Sequence, residues 1–207
     1  LILHMDDDIF INLTQISGLV KLFSNLPKKS CLAPVYKRSK SSIFKNLRFS
    51  DSLRNIFLYF NLKPRSGTIS ISCYPVPFNF NKKEEVQAVD WLPGGILLLR
   101  KLDRIKKNYF KFSGKAYCED LFHSFFLKKN KINLFITNQF YFHTKDRSYK
   151  SLQINEFIRY ISSDFQIRNQ YRKEVRKPVL PLLISYLFIV MVYLGNKIIF
   201  YKIHKYN

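Results

Sequence analysis

The sequence predicts an α/β protein, in which apolar strands alternate with amphipathic helices along the chain. Residues Leu1–Met5 form an almost continuous apolar run, which is typical of a buried strand in a parallel sheet. The segment NLTQISGLVKLFSNL, residues 12–26, carries apolar side chains at helical spacing and is followed by Pro27. A strand that leads into a helix is the repeating pattern of an α/β sheet with flanking helices.

Further elements follow from the same periodicities. Apolar spacing predicts helices in the segments DSLRNIFLYF, AYCEDLFHSFFLKKNK and INEFIRYISSDFQIRNQYRKEVRK. Strands are predicted in GTISISCY, which alternates, and in INLFITNQFYFH, which ends at His143. In the second of these helices, 100° per residue places four apolar side chains on one face and four polar ones on the other. The apolar set is Leu121, Phe122, Phe125 and Phe126, and the polar set is Glu119, Asp120, His123 and Ser124.

Composition limits the class of protein. A chain of 207 residues can bury a core, and 47% hydrophobic with 16% aromatic residues exclude a disordered polyelectrolyte. The formal net charge of +21 predicts an anionic partner, such as nucleic acid, an acidic membrane surface or a phosphorylated substrate. Because Lys and Arg are scattered over the whole chain, they favour a generally basic surface over a nucleic-acid footprint. Cys31, Cys73 and Cys118 are widely spaced and odd in number, which predicts reduced thiols in the cytoplasm.

The acidic triplet Asp6–Asp8 lies directly after the first predicted strand. Three adjacent carboxylates repel one another, and their apolar neighbours limit solvation, so the triplet costs stability unless a positive charge lies beside it. Ligands of open α/β sheets lie at the carboxyl ends of the strands. The triplet therefore predicts a site for Mg²⁺ or Mn²⁺, which prefer hard oxygen ligands.

The C-terminal segment is apolar. Val179–Leu194 contains sixteen residues without a charge, and five basic residues between Arg168 and Lys177 precede it. Sixteen is short of the roughly 20 residues that span a bilayer, but continuation through Lys197 to Ile203 would reach that length. The basic residues suit the cytoplasmic leaflet. This pattern predicts a helix that spans the membrane or lies on it, with a buried C-terminal helix as the alternative.

Together, the acidic triplet, the segment WLPGG and the Glu-Asp pair that opens a helix resemble family-2-type glycosyltransferases of the GT-A fold. The resemblance covers nearly the whole chain, and it implies a partial GT-A-like (Rossmann-like) sheet at residues 1–177 and a membrane-associated helix at 178–207. The implied reaction is the inverting, metal-dependent transfer of a sugar from a nucleotide-diphosphate sugar to a glycan or lipid-linked acceptor. The expected location is the cytoplasmic face of the membrane.

The resemblance also implies roles for particular residues. Asp8 is expected to bind the metal directly, and Asp6 to contact the ribose or a metal-bound water. Asp120, beside Glu119, is expected to be the general base that takes the proton of the acceptor hydroxyl. His143 is a further candidate for the metal or the diphosphate. The remaining expected substrate-binding residues are Asp7, Trp91, Gly94, Gly95, Arg100 and Arg168. Among them, Arg100 and Arg168 are expected to bind phosphate.

The chain departs from the family pattern at its start. Glycosyltransferases of this type begin with a strand like SVIIPTYN, and the half that grips the nucleotide base precedes the acidic motif. The chain instead begins at Leu1 with that motif, which predicts a fragment or a remnant without transferase activity of its own. The alternatives are a non-catalytic remnant and a basic nucleic-acid-binding protein, although no nucleic-acid-binding module is recognisable.

Overall fold

The computed structural model describes residues 1–6, 9–36, 51–80, 84–105, 118–144 and 153–205. Contacts between residues divide the chain into two units. Unit 1 consists of Leu1–Lys40, Ser66–Thr68 and Pro77–Arg147, and unit 2 consists of Ser41–Arg65, Ile69–Val76 and Ser148–Asn207. These units differ from the segments 1–177 and 178–207 proposed from the sequence, because the last helix packs with earlier parts of the chain.

Unit 1 is built on a mixed β-sheet with the strand order β1-β5-β3-β6-β2, in which β4 also pairs with β6. The described strands are β1 (Ile2–Met5), β2 (Ile9–Phe10), β3 (Ser30–Tyr36), β4 (Val86–Ala88), β5 (Ile96–Leu99) and β6 (Asn133–Thr144). β5 is antiparallel to both β1 and β3, whereas β3 is parallel to β6. The predicted first strand is confirmed, but its expected parallel neighbour is wrong, because an apolar run satisfies its hydrogen bonds equally well beside an antiparallel strand. The expected burial is also wrong, since Ile2 and Leu3 are half-buried and His4 and Met5 are exposed.

The pairing of β3 with β6 is irregular in the middle. Pro34 lies opposite Thr137, but the next residue, Val35, lies opposite Tyr141. Proline has no backbone N–H to give to the ladder, so it occurs in strands mainly at edges and bulges. The extra β6 residues accommodate this break, and Thr137 uses its side chain there to bond the carbonyl of Glu85 at 2.7 Å.

Helices cover both faces of the sheet. α1 (Leu13–Ser24) begins with a capping box, in which the Asn12 side chain accepts the N–H of Gln15. It packs by Leu19 and Phe23 against one face. α3 (Glu119–Lys129) packs by Leu127 against the opposite face. Alternation along the strands supplies both layers: Leu32 and Leu98 face α1, whereas Cys31, Leu97 and Leu99 belong to the layer with α3.

One contact of α1 requires a glycine. A Cβ on Gly18 would lie 2.3 Å from Cζ of Phe140, so the absence of a side chain lets the Phe140 ring approach the helix backbone. This contact ties α1 to the irregular part of β6.

Unit 2 is helical. Its elements are α2 (Asp51–Arg54), continued by a π-helical turn (Asn55–Tyr59), then α4 (Ile154–Glu174) and α5 (Leu180–Lys205). A core of Leu58, Tyr59, Val76, Phe188 and Val192 joins the π-helical turn and the segment before Pro77 to α5. Phe57 stacks on Phe188 with ring centres 5.0 Å apart. α5 is therefore an integral part of this unit.

The segment GTISISCY does not form the strand that its alternation predicts. Ser70 instead starts a tight turn, in which its N–H donates to the carbonyl of Tyr74 and its hydroxyl accepts the N–H of Tyr74. The hydroxyl of Ser72 donates to the carbonyl of Leu58. Serine side chains that bond nearby backbone compete with a sheet ladder, so the alternating pattern was misleading here.

The α/β class and the flanking helices are thus confirmed, and helices are present where α1, α3 and α4 were predicted. Among the described residues, no helix combines the length and apolar character needed to cross a bilayer.

Candidate functional site

The candidate site lies at one edge of the sheet in unit 1. β1, β3 and β6 run in the same direction, because β1 and β3 are each antiparallel to β5, and β6 is parallel to β3. Their carboxyl ends therefore meet at one edge of the sheet, where β5 begins. The acidic triplet follows β1, and His143 lies near the end of β6. This is the edge at which sequence reasoning placed the ligand.

A backbone hydrogen bond joins the triplet to the glycine pair. The N–H of Asp6 donates to the carbonyl of Gly95 at 2.8 Å, one step beyond the pairing of Met5 with Ile96. Gly95 has φ +57°, a left-handed conformation that glycine adopts without steric cost. The turn therefore depends on glycine and holds Asp6 beside it. Asp7 and Asp8 lie outside the described residues.

The first turn of α3 lies on the other side of the glycine pair. A Cβ placed on Gly94 would lie 3.8 Å from Cβ of Asp120, which is ordinary van der Waals contact. One carboxylate oxygen of Asp120 accepts the N–H of Leu121 at 2.9 Å. The same N–H also donates to the carbonyl of Cys118 at 3.1 Å, so this amide is shared between two acceptors, and the bond to Asp120 orients the carboxylate at the start of the helix. Glu119 is exposed.

A buried side chain fastens α3 to the glycine segment. The Ser124 hydroxyl accepts the N–H of Leu92 at 2.9 Å, and both residues are almost completely buried. The sequence placed Ser124 on the polar face of this helix, opposite the apolar one, but the structure buries its side chain. The signal for this role was its position one turn after Asp120, since residues four apart lie on the same side of a helix.

Trp91 begins the same segment and stacks on Phe78, with ring centres 4.5 Å apart. Phe78 lies in a loop, so a loop residue fixes one face of the Trp91 ring. Trp91 is half-buried, so part of the ring stays accessible beside Gly94 and Gly95 in the chain.

Two histidines near this edge were not among the predicted site residues. Burial, and to a smaller extent the charge of His4, lower the pKa of His123 to about 4. His4 lies two residues before Asp6, and His123 lies one turn after Asp120. At neutral pH His123 is therefore uncharged. Both positions were visible in the sequence, but only the fold makes His4 and His123 neighbours.

The end of β6 reaches the same edge through β2. The backbone of His143 pairs with that of Phe10, and Thr144 pairs with Ile9. Ile9 is buried against Ile96, the residue that follows Gly95. The structure therefore brings the backbone of β6 close to the glycine pair. The side chain of His143 lies outside the described part of the chain.

Arg100 lies at the opposite end of β5. Its guanidinium donates to the carbonyls of Leu26, Pro27 and Lys28. It also lies over the ring of Phe23, with Cζ 4.9 Å from the ring centre. These contacts close the C-terminal end of α1, so the structure does not bring Arg100 together with Asp6 and Asp120.

Arg168 belongs to unit 2, where it is 9% exposed. Its guanidinium donates to Asp164 at 2.9 Å and to the carbonyl of Cys73 at 2.9 Å. The hydroxyl of Tyr186 donates to the same carboxylate oxygen. Burial raises the pKa of Tyr186 well above its ordinary value, and Tyr74 and Asp164 add to this, so the hydroxyl stays protonated. Arg168 thus connects α4 to the turn at Cys73.

No group of three or more His, Cys, Asp or Glu side chains that could hold a metal ion occurs among the residues that the structure describes. Of the predicted metal site, the structure describes Asp6 and the backbone of His143. The donor types in the acidic triplet, three carboxylates, remain those that Mg²⁺ and Mn²⁺ prefer.

Comparisons of this chain with protein-family models, with curated proteins and with solved structures give no match.

Proposed function

We propose that this chain carries the acceptor side and the general base of an inverting glycosyltransferase of the GT-A type. The observation that supports the proposal most is the convergence of three motifs that lie far apart in the sequence. The N–H of Asp6 bonds the carbonyl of Gly95, and a Cβ placed on Gly94 would lie 3.8 Å from Cβ of Asp120. A strand end, a glycine turn and a helix start with a carboxylate are thus assembled at one sheet edge.

In this proposal Asp120 acts as the general base. The acceptor oxygen forms a bond to the anomeric carbon of the donor, and the bond from that carbon to the nucleotide diphosphate breaks, so the electron pair leaves with the phosphate. The hydroxyl proton passes to the Asp120 carboxylate. The bond from Leu121 to this carboxylate and the link from Ser124 to Leu92 hold the base in a fixed position relative to Gly94.

The acidic triplet would hold Mg²⁺ or Mn²⁺. Asp8 is the proposed direct ligand, with Asp6 and His143 as further candidates and Asp7 among the donor-binding residues. A divalent cation supplies Lewis-acid stabilisation of charge on a departing phosphate. The carboxylates of the triplet fit this chemistry by donor type, and Trp91 would offer an aromatic face to a sugar ring.

The proposed donor is a nucleotide-diphosphate sugar, and the proposed acceptor is a glycan or lipid-linked glycan at the cytoplasmic face of a membrane. The partial GT-A-like sheet and the membrane-associated C-terminal helix are parts of this proposal. The net charge of +21 is consistent with anionic donors and anionic lipid. Arg168 is kept out of the donor site, because its guanidinium is committed to Asp164 and Cys73.

The test uses the complete gene product that contains this chain, incubated with a panel of nucleotide-diphosphate sugars and either Mg²⁺ or Mn²⁺. Release of nucleotide diphosphate is measured. Asp120→Asn should lower turnover about a hundredfold or more, the usual contribution of a general base, while donor affinity changes little. Asp90→Asn is the matched control, since Asp90 is an exposed partner of Lys128 that precedes the same loop.

Several outcomes would contradict the proposal. If the turnover of Asp120→Asn stays within a few fold of the wild-type value, Asp120 is not the general base. If turnover persists in EDTA, or after Asp8→Ala, the reaction does not need a metal ion bound by the triplet. If no donor is turned over or bound, and DNA or heparin binds with a steep logarithmic dependence on salt, the basic nucleic-acid-binding alternative would replace the transferase.

A further inference from the structure

Between Leu180 and Leu194, helix α5 has two apolar faces, and only one of them is buried. The buried face contains Leu182, Ser185, Tyr186, Phe188 and Val192. Its polar members are bonded within unit 2: the Ser185 hydroxyl donates to the carbonyl of Phe57 at 2.7 Å, and the Tyr186 hydroxyl donates to Asp164. This face explains why α5 packs where it does, but it leaves the other face unexplained.

The opposite face is a stripe of large apolar side chains at helical spacing. Its members and their exposed fractions are Leu180 63%, Leu183 46%, Leu187 60%, Met191 53% and Leu194 47%. Steps of three and four residues keep these side chains on one side of a helix. At 1.5 Å per residue the stripe is about 21 Å long. Single exposed leucines are ordinary, but a continuous apolar row usually marks an interaction surface.

An apolar groove adjoins the stripe. It lies between α4 and α5, has a volume of about 470 Å³ and includes Ile158, Ile161, Val190 and Leu194 in its lining. Leu194 belongs to both the groove and the stripe, so the two form one continuous apolar surface on unit 2. Ile158 at its margin is 56% exposed.

Positive charges flank this surface. Lys173 is exposed in the last turn of α4 beside the exposed Glu174, and Arg176 is exposed between α4 and α5. Lys197 is exposed after the last residue of the stripe. The whole chain carries a formal charge of +21. An apolar row between exposed basic residues matches the layering of an anionic bilayer, whose acyl chains lie beneath negatively charged headgroups. A second copy of this chain would instead bring like charges together.

We propose that unit 2 binds an anionic lipid bilayer with α5 lying in the plane of the interface. The stripe enters the acyl boundary, Lys173, Arg176 and Lys197 contact the headgroups, and the groove between α4 and α5 receives part of an acyl chain. The helix lies flat because its other face is bonded to Phe57 and Asp164, and these bonds would be lost if α5 crossed the bilayer. This surface belongs to unit 2. The inference specifies how the membrane-associated helix of the proposed function binds lipid, and its test does not require transferase activity.

The test is flotation of the purified chain with vesicles of phosphatidylcholine that contain or lack phosphatidylglycerol. The double variant Leu183→Glu with Leu187→Glu should lower the partition coefficient on anionic vesicles at least tenfold. The matched control is Leu13→Glu with Leu102→Glu, which adds the same charge at residues that are 83% and 97% exposed in unit 1. The control should change the partition coefficient less than threefold. Circular dichroism checks that each variant keeps its helices.

Leu187→Trp supplies a second measurement that does not depend on a disruptive change. After subtraction of the signal of Trp91, the fluorescence of the introduced indole should shift to the blue on anionic vesicles. Lipids brominated near the headgroup should quench it more than lipids brominated at the chain end, and carbonate at high pH should release the protein from the vesicles.

The proposal fails if the glutamate variant and the control bind equally, if the indole introduced by Leu187→Trp is quenched most strongly from the bilayer centre, or if carbonate does not release the chain. It also fails if the wild-type chain is a dimer without lipid and the glutamate variant is a monomer, because the stripe would then bind a second copy. Equal binding to vesicles with and without phosphatidylglycerol would remove the role of the basic residues.

Discussion

Replacement of Arg168 separates a structural role from the donor-phosphate role expected from the sequence. In the structure its side chain is buried and bonded to Asp164 and Cys73, and its Cζ lies 4.2 Å from the ring centre of Tyr74. Arg168→Met keeps most of the apolar length but removes every donor. Asp164, which is 4% exposed, then keeps a buried negative charge with the Tyr186 hydroxyl as its remaining side-chain donor among the contacts described above.

The expected cost follows from this geometry. Removal of one partner of a buried ion pair destabilises a protein by about 3–5 kcal/mol, because the other charge stays buried without compensation. With a urea dependence of about 2 kcal/mol per molar, this loss lowers the unfolding midpoint of unit 2 by about 1.5–2.5 M. High salt should change the loss little, since a buried pair is screened weakly.

The assay is urea unfolding followed by circular dichroism, combined with amide hydrogen exchange to assign the change to α4 and α5. Arg159→Met is the matched control, because Arg159 lies on the same helix, is exposed and bonds only its own helix at 3.4 Å among the hydrogen bonds described. The free energy of unfolding of this control should differ from that of the wild type by less than about 0.5 kcal/mol.

A double variant makes the test sharper. Arg168→Met with Asp164→Leu removes both charges and replaces them with apolar groups, so it should be more stable than Arg168→Met alone. If Arg168→Met unfolds at the wild-type urea concentration and loses only affinity for a nucleotide diphosphate, Arg168 serves the donor and the structural reasoning is refuted. A double variant less stable than the single one would also contradict it.

Two further predictions concern unit 1. His123 has its pKa lowered by burial to about 4, so the unfolded chain binds a proton near pH 6.5 that the folded chain does not. The free energy of unfolding should therefore fall by about 2 kcal/mol between pH 7 and pH 5, and the fall should shrink in His123→Gln, whereas equal pH profiles would contradict the assignment. Ser124→Ala leaves the buried N–H of Leu92 without its acceptor and should lower the free energy of unfolding by about 1–3 kcal/mol. The control Ser24→Ala, at an exposed serine, should lower it by less than about 0.5 kcal/mol, with unfolding followed by Trp91 fluorescence. Equal losses would show that the bond between Ser124 and Leu92 does not stabilise the fold.

The sequence determined those features that depend on local periodicity and local chemistry. Apolar spacing identified α1, α3 and α4, and an apolar run identified β1. The same reasoning failed for the segment around Ser70, because the Ser70 hydroxyl accepts the N–H of Tyr74 and closes a turn in place of an extended strand. A pattern of apolar and polar residues does not predict which backbone group a hydroxyl will bond.

Direction and neighbourhood were decided by the tertiary structure. Nothing in Leu1–Met5 distinguishes a parallel from an antiparallel partner, and the pairing with β5 arose from a segment about ninety residues away. The two arginines illustrate the same limit. Arg100 and Arg168 carry identical guanidinium groups, and both were expected at the donor phosphate, yet each bonds backbone carbonyls in a different unit.

The candidate site combines both kinds of information. The residue types that suit sugar transfer, a carboxylate triplet, a glycine pair and an acid at a helix start, could be recognised in the sequence because chemistry depends on side-chain type. Their positions in space could not be recognised, since Asp6 reaches Gly95, and Asp120 reaches the space beside Gly94, only in the folded chain. Ser124 and His123 acquired their roles in the same way, because burial and the distance to a neighbour are properties of the folded chain alone.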